Sequence, residues 1–112
     1  MKYSILLDSE SKIDIFGGYK YLTNIKTFTT TMKLMTNGGL LTTNQQGQLN
    51  IYGNIWYKTK SINNTLSLSN INKKNCIIYD SRNGDRFIVI NTRPGGQEMI
   101  FTAKNKDFIT TV

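Results

Sequence analysis

The chain of 112 residues contains no histidine, one cysteine and one proline. Without imidazole, a Ser–His or Cys–His nucleophile cannot be assembled. With a single thiol besides, zinc and most transition metals lose their usual ligands. The seven acidic residues are scattered and form no Asp-x-Asp cluster suited to calcium or magnesium. The expectation is a protein that is not an enzyme and uses no metal, cofactor or small-molecule substrate. Cys76 cannot form an internal disulfide, and its place beside Ile77 and Ile78 predicts a buried, inert thiol.

Good helix formers are scarce too: alanine occurs once and glutamate twice. Acid is missing altogether from residues 15–79, where Lys20, Lys26, Lys33, Lys58, Lys60, Lys73 and Lys74 fall. The net charge of +7 therefore belongs to the middle of the chain, and the C-terminal third is nearly balanced. Such a field attracts nucleic acid or an acidic protein surface. No apolar run approaches the ~20 residues of a membrane span. The short apolar patch near the N-terminus is interrupted by Ser4 and Asp8 and does not read as a signal peptide. The expected setting is a cytoplasm, or a particle assembled in one, with no membrane partner.

What is present favours strands. Ile, Thr, Tyr and Phe dominate, and hydrophobic residues at 38% with aromatics at 11% are enough for one folded domain spanning residues 1–112. Turn signals recur at Gly17-Gly18, Asn37-Gly38-Gly39, Gln46-Gly47, Gly53-Asn54, Asn83-Gly84 and Pro94-Gly95-Gly96. Strands punctuated in this way predict an all-β domain, a small barrel or sandwich built from hairpins. Strands are expected near residues 3–7, 12–16, 19–22, 25–35, 48–51, 54–60, 76–79, 86–91, 99–103 and 108–112, with a weaker alternation at Leu66 and Leu68. In the segment 54–60, Ile55, Tyr57 and Thr59 share one side and Trp56, Lys58 and Lys60 the other. Residues 70–75 read as a polar connection. Residues 35–48, "MTNGGLLTTNQQGQ", read as a long glycine- and asparagine-rich loop without charge.

Several local patterns have structural explanations. Asp80 and Asp85 flank the hairpin turn at Asn83-Gly84, where Asp and Asn serve local backbone hydrogen bonds better than catalysis. The run "NGGLLTTN" lacks the ending and context of a phosphate-binding loop. The glycosylation triplet at Asn63 arises by chance in a chain this rich in Asn and Thr.

Two explanations remain for the basic, aromatic middle. A single-stranded nucleic acid could lie on Tyr52, Trp56 and Tyr57 with its phosphates on Lys20, Lys26, Lys33, Lys58 and Lys60; an acidic host protein, met by a phage inhibitor of host defence, would suit the same charge. Alternatively, the aromatics are core and the charge-poor surface is covered by neighbouring proteins. In that case Asn37, Gly38, Gly39, Leu40 and Leu41 are candidates for a partner interface, with the two leucines either docking on a partner or packing back on the domain.

About half the chain carries a resemblance. Trp56 in "YGNIWYKTKSI", the Ile77-Ile78-Tyr79 strand, the Asn83-Gly84 turn, "RFIVI" and "EMIFTA" resemble the small bacteriophage head–tail joining proteins of the stopper or connector class. That resemblance implies a structural protein of the virion, in the neck or tail, without catalytic activity. Its partners would be copies of itself in a ring and neighbouring phage proteins, with non-specific contact to passing DNA.

Overall fold

The computed structural model describes residues 4–50, 52–61, 63–82, 84–90, 98–104 and 107–110. The expected turn at Pro94-Gly95-Gly96, together with Tyr3, Asn83 and residues 111–112, lies outside that set. The chain forms strands β1 (Ile5–Asp8), β2 (Ile15–Phe16), β3 (Leu22–Thr36), β4 (Gly39–Leu49), β5 (Gly53–Tyr57) and β6 (Asn64–Ser67). Helix α1 (Leu68–Lys74) follows, then β7 (Cys76–Asp80), β8 (Arg86–Ile90), β9 (Glu98–Lys104) and β10 (Asp107–Thr110). The fold is all-β, as the composition indicates.

The ten strands hydrogen-bond into one mixed sheet in the order β3-β4-β5-β2-β6-β1-β10-β9-β8-β7. A closed barrel would have no free strand, whereas this order ends in two, β3 and β7. Hairpins build the flanks, but the centre does not come from hairpins. There β1 runs parallel to β6 and β2 parallel to β5, and β10 enters antiparallel to β1 with Ile5 opposite Thr110.

Strand alternation places the core. Ile5 and Leu7 of β1, Phe16 of β2, Ile55 and Tyr57 of β5, Leu66 of β6, Val89 of β8 and Phe101 of β9 are buried in one cluster, which Ile71 of α1 joins. Phe87 extends it by packing against Tyr79 (ring centroids 5.1 Å apart) and edge-on against Phe108 (4.8 Å).

A buried polar lattice ties the irregular segments to this core. The Asp14 carboxylate accepts a hydrogen bond from the Tyr52 hydroxyl at 2.7 Å through Oδ2 and from the Ser67 backbone N–H at 2.7 Å through Oδ1. Burial first, then the Asp14 carboxylate, pushes the Tyr52 phenol well above its ordinary range. Ser67 Oγ donates to the Ser11 carbonyl (2.6 Å) and accepts from the Asn70 N–H (3.2 Å). That second bond is an N-cap, and it explains why residues 68–74 are helical where the sequence suggested a polar connection. Asn64, fully buried, accepts from the Gly18 N–H (2.8 Å) and donates to the Ser4 carbonyl (3.1 Å). Next to it Gly17 lies so close to the chain that an added Cβ would sit 1.9 Å from the Ser61 carbonyl oxygen.

At the β7–β8 hairpin the sequence reading of a turn holds for the described residues. Gly84 has φ of +86°, and the Asp80 carboxylate is engaged in the turn. Its carboxylate accepts from the Arg82 backbone N–H (2.9 Å) and from the guanidinium groups of Arg82 (3.1 Å) and Arg86 (2.9 Å). Arg82, through both its side chain and its N–H, and then Arg86 hold the Asp80 carboxyl well below the usual carboxylate range. One expectation fails nearby: Cys76 is exposed, because it falls on the outer side of β7 while Ile77 turns inward.

Two outcomes follow from these contacts. Gly17→Ala, which must push back the backbone at Ser61, should lower stability by at least about 2 kcal/mol in thermal or urea unfolding. Because Asp80 has a depressed pKa in the fold, its stabilisation is present above the unfolded-state value of ~3.9 and is lost as pH falls below it. The stability difference between the wild-type chain and Asp80→Asn should therefore be largest at neutral pH and shrink as unfolding is measured at progressively lower pH through that value.

Candidate functional site

The segment expected to be a loop, residues 35–48, is instead the turn and second strand of a long hairpin. Thr36 and Gly39 pair across Asn37-Gly38, and Gly39 takes φ of +111°. Thr36 Oγ1 accepts from the Gly38 N–H (3.2 Å) and donates to the Gly39 carbonyl (2.8 Å). The strand character comes from the threonines of both arms and from backbone pairing. Low apolar content hid it in the sequence.

The hairpin does not stay flat. Its register slips between Thr23 and Lys26, where Asn24 has φ of +52° and donates through Nδ2 to Gln48 Oε1 (3.1 Å). It slips again between Thr27 and Met32, so that residues 28–31 bulge opposite Asn44. Bulges of this kind bend and twist the bulged strand. Only the proximal half of β4, from Gln45 to Leu49, pairs with β5. At the point of departure the buried Thr43 donates through Oγ1 to the Tyr57 carbonyl (2.6 Å) and accepts from the Gln45 N–H (3.1 Å).

Beyond that anchor the two faces of the arm separate. Met32 is buried and the cross-strand pair Leu34–Leu41 is half-buried, whereas the next pair, Met35–Leu40, is 74% and 59% exposed. The two leucines thus divide the alternatives the sequence left open: Leu41 is half-buried on the groove side, whereas Leu40 is mostly exposed at the groove's rim.

Beneath the arm lies a groove of about 830 Å³. Leu34, Leu41 and the turn at Asn37, Gly38 and Gly39 form one wall, and Ile15 with Thr65 line it from the sheet. Lys58, Lys60, Ser61 and Asn63 line it from the connection between β5 and β6. That connection is fixed at both ends, since the Lys58 N–H donates to the Phe16 carbonyl (3.0 Å) and the Gly17 N–H to the Asn63 carbonyl (3.1 Å), and it closes on itself where the Ser61 N–H donates to the Lys58 carbonyl (2.9 Å). Asp8 is the carboxylate of the groove, and it accepts from the Glu10 N–H at 2.9 Å. Among the described residues no carboxylate lies within ion-pair distance of Lys58 or Lys60.

The structure therefore joins two sets of candidate residues that the sequence kept apart, and divides one that it grouped. Lys58 and Lys60 share the groove with Asn37, Gly38, Gly39, Leu40 and Leu41. Lys26 and Lys33 do not line it: they are exposed along β3. Lys20 sits in the turn before β3, with Nζ 5.2 Å from the Tyr21 ring. The aromatic platform is not assembled. Tyr57 is core, and Tyr52 is buried and held by Asp14, with Lys74 Nζ 4.5 Å above its ring. Trp56 is half-buried and faces a separate groove of about 280 Å³ with Lys12, Asn54, Asn70 and Lys74. The described residues hold no group of three or more His, Cys, Asp or Glu side chains that could bind a metal ion.

Sequence reasoning missed Thr43 and Asp14. Thr43 is one threonine among many and carries no signal. Asp14 does: it is an acid between Ile13 and Ile15, on an alternation whose next residue, Phe16, is buried.

The split between the leucines is measurable. Leu41→Ala should cost roughly 1 kcal/mol and raise proteolytic cleavage in the arm, whereas Leu40→Ala should change stability by less than about 0.5 kcal/mol. Among known proteins, no family model, no curated protein and no solved structure matches this chain.

Proposed function

We propose that this protein is a non-enzymatic structural component of a bacteriophage particle, placed in or near the head–tail connector or elsewhere in the tail, and working in several copies. The observation that carries the reading is the β3–β4 arm. From Leu34 to Tyr57 the chain has no charged residue, and the arm ends on the exposed pair Met35 and Leu40. A charge-free projection with an apolar tip suits burial against a neighbour, because interface cores are depleted of charge. An arm on one copy and a groove on the next make a head-to-tail contact, and contacts of that type close into rings when the rotation permits. The resemblance of the second half of the chain to head–tail joining proteins supports the same reading, with assembly in the host cytoplasm and residence in the virion.

Native mass spectrometry tests it. The unsubstituted chain should give species of more than two copies, and Met35→Asp with Leu40→Asp should abolish those larger species without lowering the melting temperature. A chain that stays monomeric at every concentration and is absent from virions would remove this reading.

A second reading rests on a different observation, the two lysines in the groove that have no carboxylate partner among the described residues. They favour an anionic segment, either a nucleic-acid strand or an acidic stretch of a partner protein. Binding of single-stranded DNA should then weaken as salt rises, and Lys58→Ala with Lys60→Ala should flatten the salt dependence by about two counterions. Undetectable binding at low salt would exclude DNA as the occupant.

A further inference from the structure

Among the described residues the sheet ends at β3 and β7, and these two edges are built differently. Strand β3 is guarded: it carries Lys26 and Lys33, two register slips and a positive-φ residue, Asn24. Lysines and bulges are the usual means by which an edge strand is kept from pairing with another chain. Strand β7, "CIIYD", has none of these. It pairs without interruption to β8 along its whole length, from Cys76 opposite Ile90 to Asp80 opposite Arg86. Three of its five side chains are exposed, Cys76, Ile78 (45%) and Tyr79 (52%). On the outer face Ile78, Ile88 and Ile100 stand in one cross-strand row over β7, β8 and β9.

Charge decides which occupant fits this edge. Residues 1–75 hold nine lysines against three acids, whereas residues 76–112 hold five basic residues against four acids. Two copies approaching through their first 75 residues repel one another. The end of the sheet formed by β7, β8, β9 and β10 is where they meet almost without net charge. The strand is also complementary to itself. In an antiparallel pair centred on Ile78, Ile78 meets its counterpart on the outer face. On the inner face Ile77 meets Tyr79 of the second copy, a β-branched–aromatic pairing that stabilises antiparallel sheets.

We propose that β7 is a homotypic interface, at which two copies pair antiparallel about Ile78 and continue the sheet from one molecule into the next. The contact is isologous, so it makes pairs and stops. A five-residue edge buries less than the ~800 Å² per partner of a standard interface. Association therefore falls in the micromolar range or weaker. Because both copies carry the same net charge, added salt strengthens the pair, opposite to its effect on nucleic-acid binding.

The surface is separate from the β3–β4 arm, so the two are tested apart by sedimentation of the unsubstituted chain and of Leu40→Asp. Leu40→Asp, which removes the arm contact, should shift from monomer to dimer between about 1 and about 500 μM, and more so at high salt; the unsubstituted chain should show the same pairing in addition to its arm-mediated assembly. Ile78→Lys, at an exposed position, should weaken the dimer on the order of tenfold or more by placing like charges opposite each other, with an unchanged circular dichroism melt. Directly opposed residues in an antiparallel pair have Cα atoms roughly 4.5–5.5 Å apart, within disulfide reach. Cys76→Ser with Ile78→Cys should thus cross-link under mild oxidation. The native Cys76 should not, since its two copies would lie about 13 Å apart along the strands. A chain that remains monomeric, or a dimer indifferent to Ile78→Lys, overturns the proposal. Cross-linking through Cys76 in preference to Ile78→Cys overturns its register.

Discussion

Asp14 is the residue on which the arrangement depends. A carboxylate with 6% of its surface exposed is costly unless every lone pair is used. Asp14 is placed so that it bonds the turn after β4 through Tyr52 and the start of α1 through Ser67, while its own carbonyl accepts the Trp56 N–H at 3.2 Å. Three segments far apart in sequence therefore meet at one residue. Strand β2 is only two residues long and could not hold its place between β5 and β6 by ladder bonds alone. The carboxylate just before it supplies what the short ladder lacks, and the buried amide of Asn64 does the same on the other side through Gly18 and Ser4.

The groove is a by-product of that locking. With β2, β5 and β6 fixed, the connection at Lys58 to Ser61 is pinned against Gly17, so the two lysines project from a rigid turn. The opposite wall is held differently. It parts from β5 at Thr43, is bent by the bulge at residues 28–31, and carries buried Met32 with half-buried Leu34 and Leu41, the two leucines lining the groove. One wall is thus set by buried polar bonds and the other by a few half-buried apolar contacts. A site so made can admit an extended segment of chain by flexing one side only.

The class of fold was legible because scarcity of Ala and Glu, abundance of Ile and Thr, and regular glycine turns all point to strands. The β7–β8 hairpin and the alternation of Ile55, Trp56 and Tyr57 could be read directly, since both depend on neighbours in sequence. Three things could not. The arm was hidden because Thr, Asn and Gln pair well as strands on an exposed surface yet leave no apolar alternation. Helix α1 was hidden because its cap, Ser67, is indistinguishable in sequence from any other serine. The fate of Tyr52 was hidden because it is decided by Asp14, which is 38 residues away. The platform alternative is not assembled for this reason at Tyr52, and because Tyr57 is core and Trp56 faces the separate groove with Lys74.

The parallel centre of the sheet also sets the order in which the chain can fold. Strands β3 to β5 and β7 to β9 are local meanders and can form from neighbouring residues. Strand β1 instead waits between β6, paired at Ile5 with Asn64, and β10, paired at Ile5 with Thr110. Until β10 arrives, the two meanders are separate half-sheets, each with an extra open edge and half of a core. Loop closure over about 100 residues must precede the contacts that reward it, which slows folding and lengthens the life of those half-sheets. A chain arrested there has strand edges ready to pair with another copy's. Its window for misassembly during synthesis therefore stays open until β10 is available, however sound the finished sheet is.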